Sequence, residues 1–280
     1  MLFDTHLHLI FKDRISYPWL NEFEVLNQDN RFDDYATNAA RLGIGGCFHM
    51  EVDVAEDQIE KEVSVISDLA GSQGNLLRGI ISSCRPERED FAAHLERARE
   101  TDIVRGFRRV LHVVPDEVST TATFRDNIKR LGGTGLTFDL CVLPRQLHLA
   151  GELVDHCPNV SFVLDHCGVP DVASGELEPW RSSMRALAER PNVHAKISGV
   201  IAYGDPASWT IDDIKPFVDE TVDAFGTNRI VWGSDSPVCN LGGDLATWVA
   251  VTHALTGNWS SSERDALYHA NALDLWQLRT

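Results

Sequence analysis

Short β-rich runs recur along this chain at intervals of roughly thirty residues, with stretches of helical apolar spacing between them. The runs cover 2–8, 44–51, 76–83, 103–109, 135–142, 160–166, 193–198 and 229–234. Between them, 57–70, 89–100, 123–131, 144–156, 179–189 and 211–225 read as helices. In the first of these, Ile59, Val63, Ile66 and Ala70 repeat at the spacing of one helix face. Strands that alternate with helices lie parallel and are joined by right-handed crossovers. Eight such units in 280 residues predict an α/β chain folded as a (β/α)8 TIM barrel, one domain over residues 1–280. A doubly wound open sheet is the alternative. No GxGxxG or P-loop pattern follows an early strand, which weakens the nucleotide-binding form of that alternative.

A formal net charge of −17 disfavours nucleic acid and anionic membrane surfaces as partners. No apolar run approaches the ~20 residues of a membrane span, and the first residues lack the basic start and apolar core of a signal peptide. The six cysteines form no CxxC, so the expectation is a cytoplasmic chain with reduced, buried thiols and a small-molecule substrate.

In a barrel of this kind chemistry sits at the C-terminal ends of the strands. The first strand ends in Asp4-Thr5-His6-Leu7-His8, and alternation puts Asp4, His6 and His8 on one face. Two imidazoles so spaced can converge on one metal ion or one polar substrate group; paired structural histidines are the other reading. The second strand ends with His49 and Glu51 on a shared face, and the third runs into Arg85. The fourth carries Arg108, the fifth Asp139, the sixth His166, the seventh Lys196 and the eighth Asp235. Parity directs Arg105 and Asp165 outward, toward helices. His194 lies near a strand start, where a structural role is expected.

Several of these segments carry a family resemblance: DTHLH at 4–8, YPWL at 17–20, VRGFRRVLH at 104–112, VLDHCGVP at 163–170, KISG at 196–199 and WGSDSPV at 232–238. In this order they resemble the amidohydrolase superfamily, and within it the amidohydrolase-related branch of sugar lactonases and 2-pyrone-4,6-dicarboxylate lactonase. The resemblance spans nearly the whole chain. It implies a catalytic centre of His6, His8, His166 and Asp235, with Arg108 binding substrate. The chain departs from binuclear members in having no strand-four or strand-five lysine to carboxylate and no strand-five histidine; Asp139 stands there instead. The implied cofactor is therefore none, or one divalent, zinc-like ion on His6, His8, His166 and Asp235.

Opening a lactone needs an activated water, a polarised carbonyl and a proton for the leaving alkoxide. Asp235 is the candidate general base. His6, His8 and His166 are candidates to polarise the carbonyl, directly or through an ion. Arg108 offers a planar fork for carboxylate or vicinal oxygens. Glu51, Arg85 and Lys196 are further candidates for substrate contact, with structural ion pairing as the alternative for each and for Asp139. The absence of a GxSxG elbow disfavours a serine hydrolase. The expected reaction is hydrolysis of a small polar lactone, an aldonolactone first. The alternatives are an aromatic-catabolite dicarboxylate lactone and metal-dependent nonoxidative decarboxylation of an aromatic acid.

Overall fold

The structure, a computed structural model, describes residues 1–72 and 76–278. Eight parallel strands follow one another in chain order: β1 (Leu2–Leu7), β2 (Ile44–Met50), β3 (Leu77–Ser83), β4 (Val104–Val110), β5 (Thr137–Cys141), β6 (Ser161–Leu164), β7 (Val193–Ser198) and β8 (Ile230–Gly233). Just past the end of β8 the chain meets β1 again. Asp235 N–H donates to the His6 carbonyl and His8 N–H to the Ser236 carbonyl, both at 2.8 Å. The (β/α)8 barrel expected from the alternation is the fold observed.

Helices form the outer layer: α1 (Phe32–Leu42), α2 (Ile59–Ser72), α3 (Phe91–Arg99), α4 (Glu117–Thr120), α5 (Ala122–Lys129), α6 (Leu147–His156), α7 (Trp180–Ala188), α8 (Ile211–Phe225) and α9 (Leu245–Leu255). The chain ends through α10 (Ser261–Asp265) and α11 (Asn271–Leu275). In α7, Trp180, Met184 and Leu187 fall on one side and are buried, while the Arg185 side chain stays largely exposed. The sequence reading had no counterpart for α1, for the short α4 or for the helices after 234. Among the described residues no helix is long and apolar enough to cross a membrane. All six cysteines are buried and free.

The barrel interior has two zones. Its floor is apolar: Phe3, Phe48, Ile81, Val163 and Val231 cluster with Trp276, which follows α11. The Phe48 ring meets the Phe3 and Trp276 rings edge-on, at 5.0 Å each. The Arg105 stem lies over Gly79 beside Phe48, at this floor rather than among the helices where parity had placed it. Above the floor the inward positions turn polar, and that layer holds the residues of the site. Gly233 makes the layer possible, because a Cβ there would stand 2.7 Å from His6 Cβ.

Candidate active site

Two departures from regular strand geometry aim the side chains. The β1–β2 register is irregular between Asp4 and Leu7, which breaks the alternation expected for 4, 6 and 8. Asp4 therefore does not share a face with His6 and His8. Its Oδ2 accepts from the Tyr35 hydroxyl of α1 at 2.7 Å, and its Oδ1 accepts from the backbone of Ser234 and His6. The second departure follows β6, which stops at Leu164. Asp165 keeps the inward direction of Val163, while His166 (φ 51°) and Cys167 (φ 53°) enter the left-handed region. That turn swings His166 back to the same centre. Asp165 is thus an inward residue, and the expectation that it faces a helix was wrong. His49 and Glu51 also part company: His49 faces Glu62 of α2 at 3.3 Å, and Glu51 bonds Arg108.

At the centre, His6 Nε2 and His8 Nε2 lie 3.1 Å apart. Asp235 Oδ1 sits 3.6 Å from the first and 3.5 Å from the second. Its Oδ2 is 3.6 Å from His166 Nδ1, which also meets Ser198 Oγ at 2.9 Å. Asp235 is 1% exposed, and neither carboxylate oxygen has a hydrogen-bond partner. Burial raises its carboxyl to about 6, against the pull of His166 and Arg108. Burial, reinforced by Arg108, lowers His8 to about 3. Burial and the neighbouring Lys196 hold His6 well below the usual imidazole range. Gly199 (φ 57°) leaves room beside Asp235, since a Cβ there would lie 2.4 Å from its Oδ2.

Around this centre runs a buried ionic shell. Arg108 donates from Nε to Glu51 Oε1 at 2.6 Å and from Nη2 to the Glu51 carbonyl at 2.9 Å; its Nη1 lies 3.4 Å from Asp165 Oδ2. Burial, the largest influence, would raise the Glu51 carboxyl, but Arg108, the Asp53 backbone N–H and His8 together turn the net shift downward. Lys196 is fully buried, with Asp139 Oδ2 at 2.6 Å, Asp165 Oδ1 at 2.9 Å and His6 Nδ1 at 3.1 Å. Three partners occupy its three N–H bonds, so the ammonium has none left for a substrate. Arg85 bonds Ser83 Oγ and the Cys84 carbonyl, and reaches toward Asp53 at 3.7 Å. Of the residues singled out in the sequence, His6, His8, His166 and Asp235 form the centre, Glu51, Arg108 and Lys196 the shell, and Arg85 lies to one side. Asp165 and Ser198 were missed, although the inward parity of Val163 and of Lys196 points to them. Tyr203, whose ring lies 6.2 Å from that of His166, follows β7 in a short turn that no strand pattern announces.

The donor set suits one small divalent cation. Zinc bonds of ~2.0–2.2 Å in a tetrahedral shell set neighbouring ligand atoms roughly 3.3 Å apart. The separations among His6 Nε2, His8 Nε2 and Asp235 Oδ1 match that spacing, and the unpartnered Asp235 oxygens are what a cation would satisfy. Among the described residues the groups able to hold an ion are His6–His8–Asp235 and His6–Asp165–His166. They share His6, and Asp165 is already engaged by Lys196.

A barrel whose polar strand ends gather three imidazoles and a carboxylate is an enzyme with its chemistry at the C-terminal face. Residues 3–278 match the family described as Amidohydrolase, and the chain belongs to it. It is similar to an L-fucono-1,5-lactonase of Burkholderia multivorans, 26% identical over 298 aligned positions that cover 98% of this chain and 95% of the relative. An L-fucono-1,5-lactonase of Burkholderia ambifaria is 38% identical over 118 positions, 41% of this chain and 40% of that protein. A zinc-bound crystal structure of a Burkholderia multivorans amidohydrolase superposes with a TM-score of 0.90 at 25% identity, covering 100% of both chains.

Proposed function

We propose that this protein hydrolyses the ester bond of a small polyhydroxylated lactone, an aldonolactone. The observation that carries this reading is Asp235, a buried carboxylate with both oxygens unpartnered, facing three imidazoles at the strand ends. A carboxyl raised to about 6 is largely ionised at neutral pH yet basic enough to accept a proton from water. The resemblance to L-fucono-1,5-lactonases supports a sugar-derived lactone.

In this reading Asp235 Oδ2, on the side away from the β1 histidines, takes a proton from water as the water oxygen adds to the lactone carbonyl carbon. The ring C–O bond then breaks, and Asp235 returns the proton to the departing alkoxide, leaving an open-chain hydroxy acid. Arg108 contributes a fixed positive charge beside the negative charge that builds on the carbonyl oxygen. His166, held by Ser198, orients the substrate side of Asp235. One divalent ion held by His6, His8 and Asp235 would polarise the carbonyl when bound.

A pH-indicator assay over aldonolactones, a pyrone dicarboxylate lactone and carboxylated aromatic acids tests the reading. Acid release from an aldonolactone without CO2 is the expected result. Preference for the dicarboxylate lactone, or CO2 from an aromatic acid, would overturn it.

A further inference from the structure

The hydrogen positions along the β1 histidine pair follow from the two ends of one hydrogen-bonded chain. The Met50 carbonyl can only accept, so His8 Nδ1, 3.2 Å away, carries a hydrogen. With its one ring hydrogen on Nδ1, the His8 imidazole presents a bare Nε2. His6 Nε2, at 3.1 Å, has to donate to it, which places the His6 hydrogen on Nε2. At the other end the Lys196 ammonium can only donate, and its third acceptor is His6 Nδ1 at 3.1 Å. That bond needs a bare Nδ1. The carbonyl end and the ammonium end, taken separately, demand the same tautomer of His6. Arg108 Nη1, 3.3 Å from His6 Nε2, and Asp165 Oδ1, 3.3 Å from His6 Nδ1, would favour the opposite one, but Arg108 has Asp165 Oδ2 as another acceptor and Asp165 Oδ1 already accepts from Lys196 at 2.9 Å. Neither the carbonyl nor the ammonium has another role open to it.

We propose that Lys196 is a positioning residue that holds the His6–His8 pair in this one proton register, and so sets how readily the pair accepts a divalent cation. A cation on the pair needs a bare Nε2 on both rings. In the held register only His8 offers one. To bind, His6 breaks its Nε2–H bond and forms an Nδ1–H bond, and the proton count is unchanged. Asp165 Oδ1, 3.3 Å from Nδ1, accepts that hydrogen, and Lys196 gives up its contact with the ring. The ammonium thus opposes the cation twice, by charge and by tautomer.

The inference rests on the cation set named above and not on the lactone reading, so its test reads no turnover. The first measurement is 15N NMR of the histidine rings in the chelator-treated wild type, with His6 assigned by comparison with His6→Gln. The second uses Asp139→Asn together with Lys196→Met, which removes one charge of each sign and leaves Asp165 to Arg108. In wild type His6 is expected to be protonated at Nε2. In the double variant the hydrogen moves to Nδ1, and zinc binding followed by calorimetry tightens about tenfold or more, the scale on which groups beside metal-binding histidines shift affinity, here with the opposite sign because Lys196 opposes the binding tautomer. Nδ1 protonation in wild type overturns the proposal, whether or not the variant folds. A folded variant with unchanged tautomer or unchanged zinc affinity overturns it as well.

Discussion

Arg108 and Glu51 show how a residue picked out for substrate binding can be bound first to its own scaffold. The guanidinium and the carboxylate are both buried and joined by a bond of 2.6 Å. Removing the arginine leaves a buried, uncompensated carboxylate, the situation in which breaking an ion pair is most destabilising. Arg108→Met is therefore expected to lower stability by about 3–5 kcal/mol in urea denaturation. Adding Glu51→Gln should recover part of that loss; a single variant within about 0.5 kcal/mol of wild type would remove Arg108 from the scaffold. The four central residues were legible because each is a histidine or aspartate at a strand end, where a packed core would call for an apolar side chain. Asp165 was not, because parity was counted back from His166, and nothing in the letters His-Cys says that both adopt positive φ.

At the scale of elements, the seam between β1 and β8 decides where His6 and Asp235 stand. Asp4 works there as a clamp, tying the backbone of Ser234 and His6 to the α1 hydroxyl of Tyr35. Asp4→Asn keeps the shape but replaces one acceptor oxygen with a donor that faces a backbone N–H or the hydroxyl. A loss of about 1–3 kcal/mol is expected, with the melting temperature as the readout. No change in melting temperature would mean that the seam is held by its backbone bonds alone. The strand runs were legible to within a few residues because buried parallel strands are short, apolar and bounded by turns. α1 escaped notice because its pattern is small and polar: Phe32, Tyr35 and Ala39 are its only buried residues.

For the whole molecule, the alternation of strands and helices was enough to give the barrel, since eight parallel strands with helical crossovers have few ways to bury both sheet faces. The plug at the floor was not legible, because the C-terminal residues that fill it come after the last strand–helix repeat. The donor set bears on stoichiometry as well: among the described residues both possible ion groups share His6, so elemental analysis is expected to find no more than one tightly held divalent ion per chain. Two equivalents would require a ligand set different from this one. The central claim is that Asp235 moves the proton in the reaction. Asp235→Asn keeps the volume and the turn after β8 but removes the base, and a lost general base costs about 10²–10⁴ in rate. The decisive measurement is kcat of purified Asp235→Asn on the best aldonolactone of the panel, with circular dichroism showing the fold retained. The account expects a loss of at least about a hundredfold; a folded variant that kept more than about a tenth of the wild-type rate would contradict it.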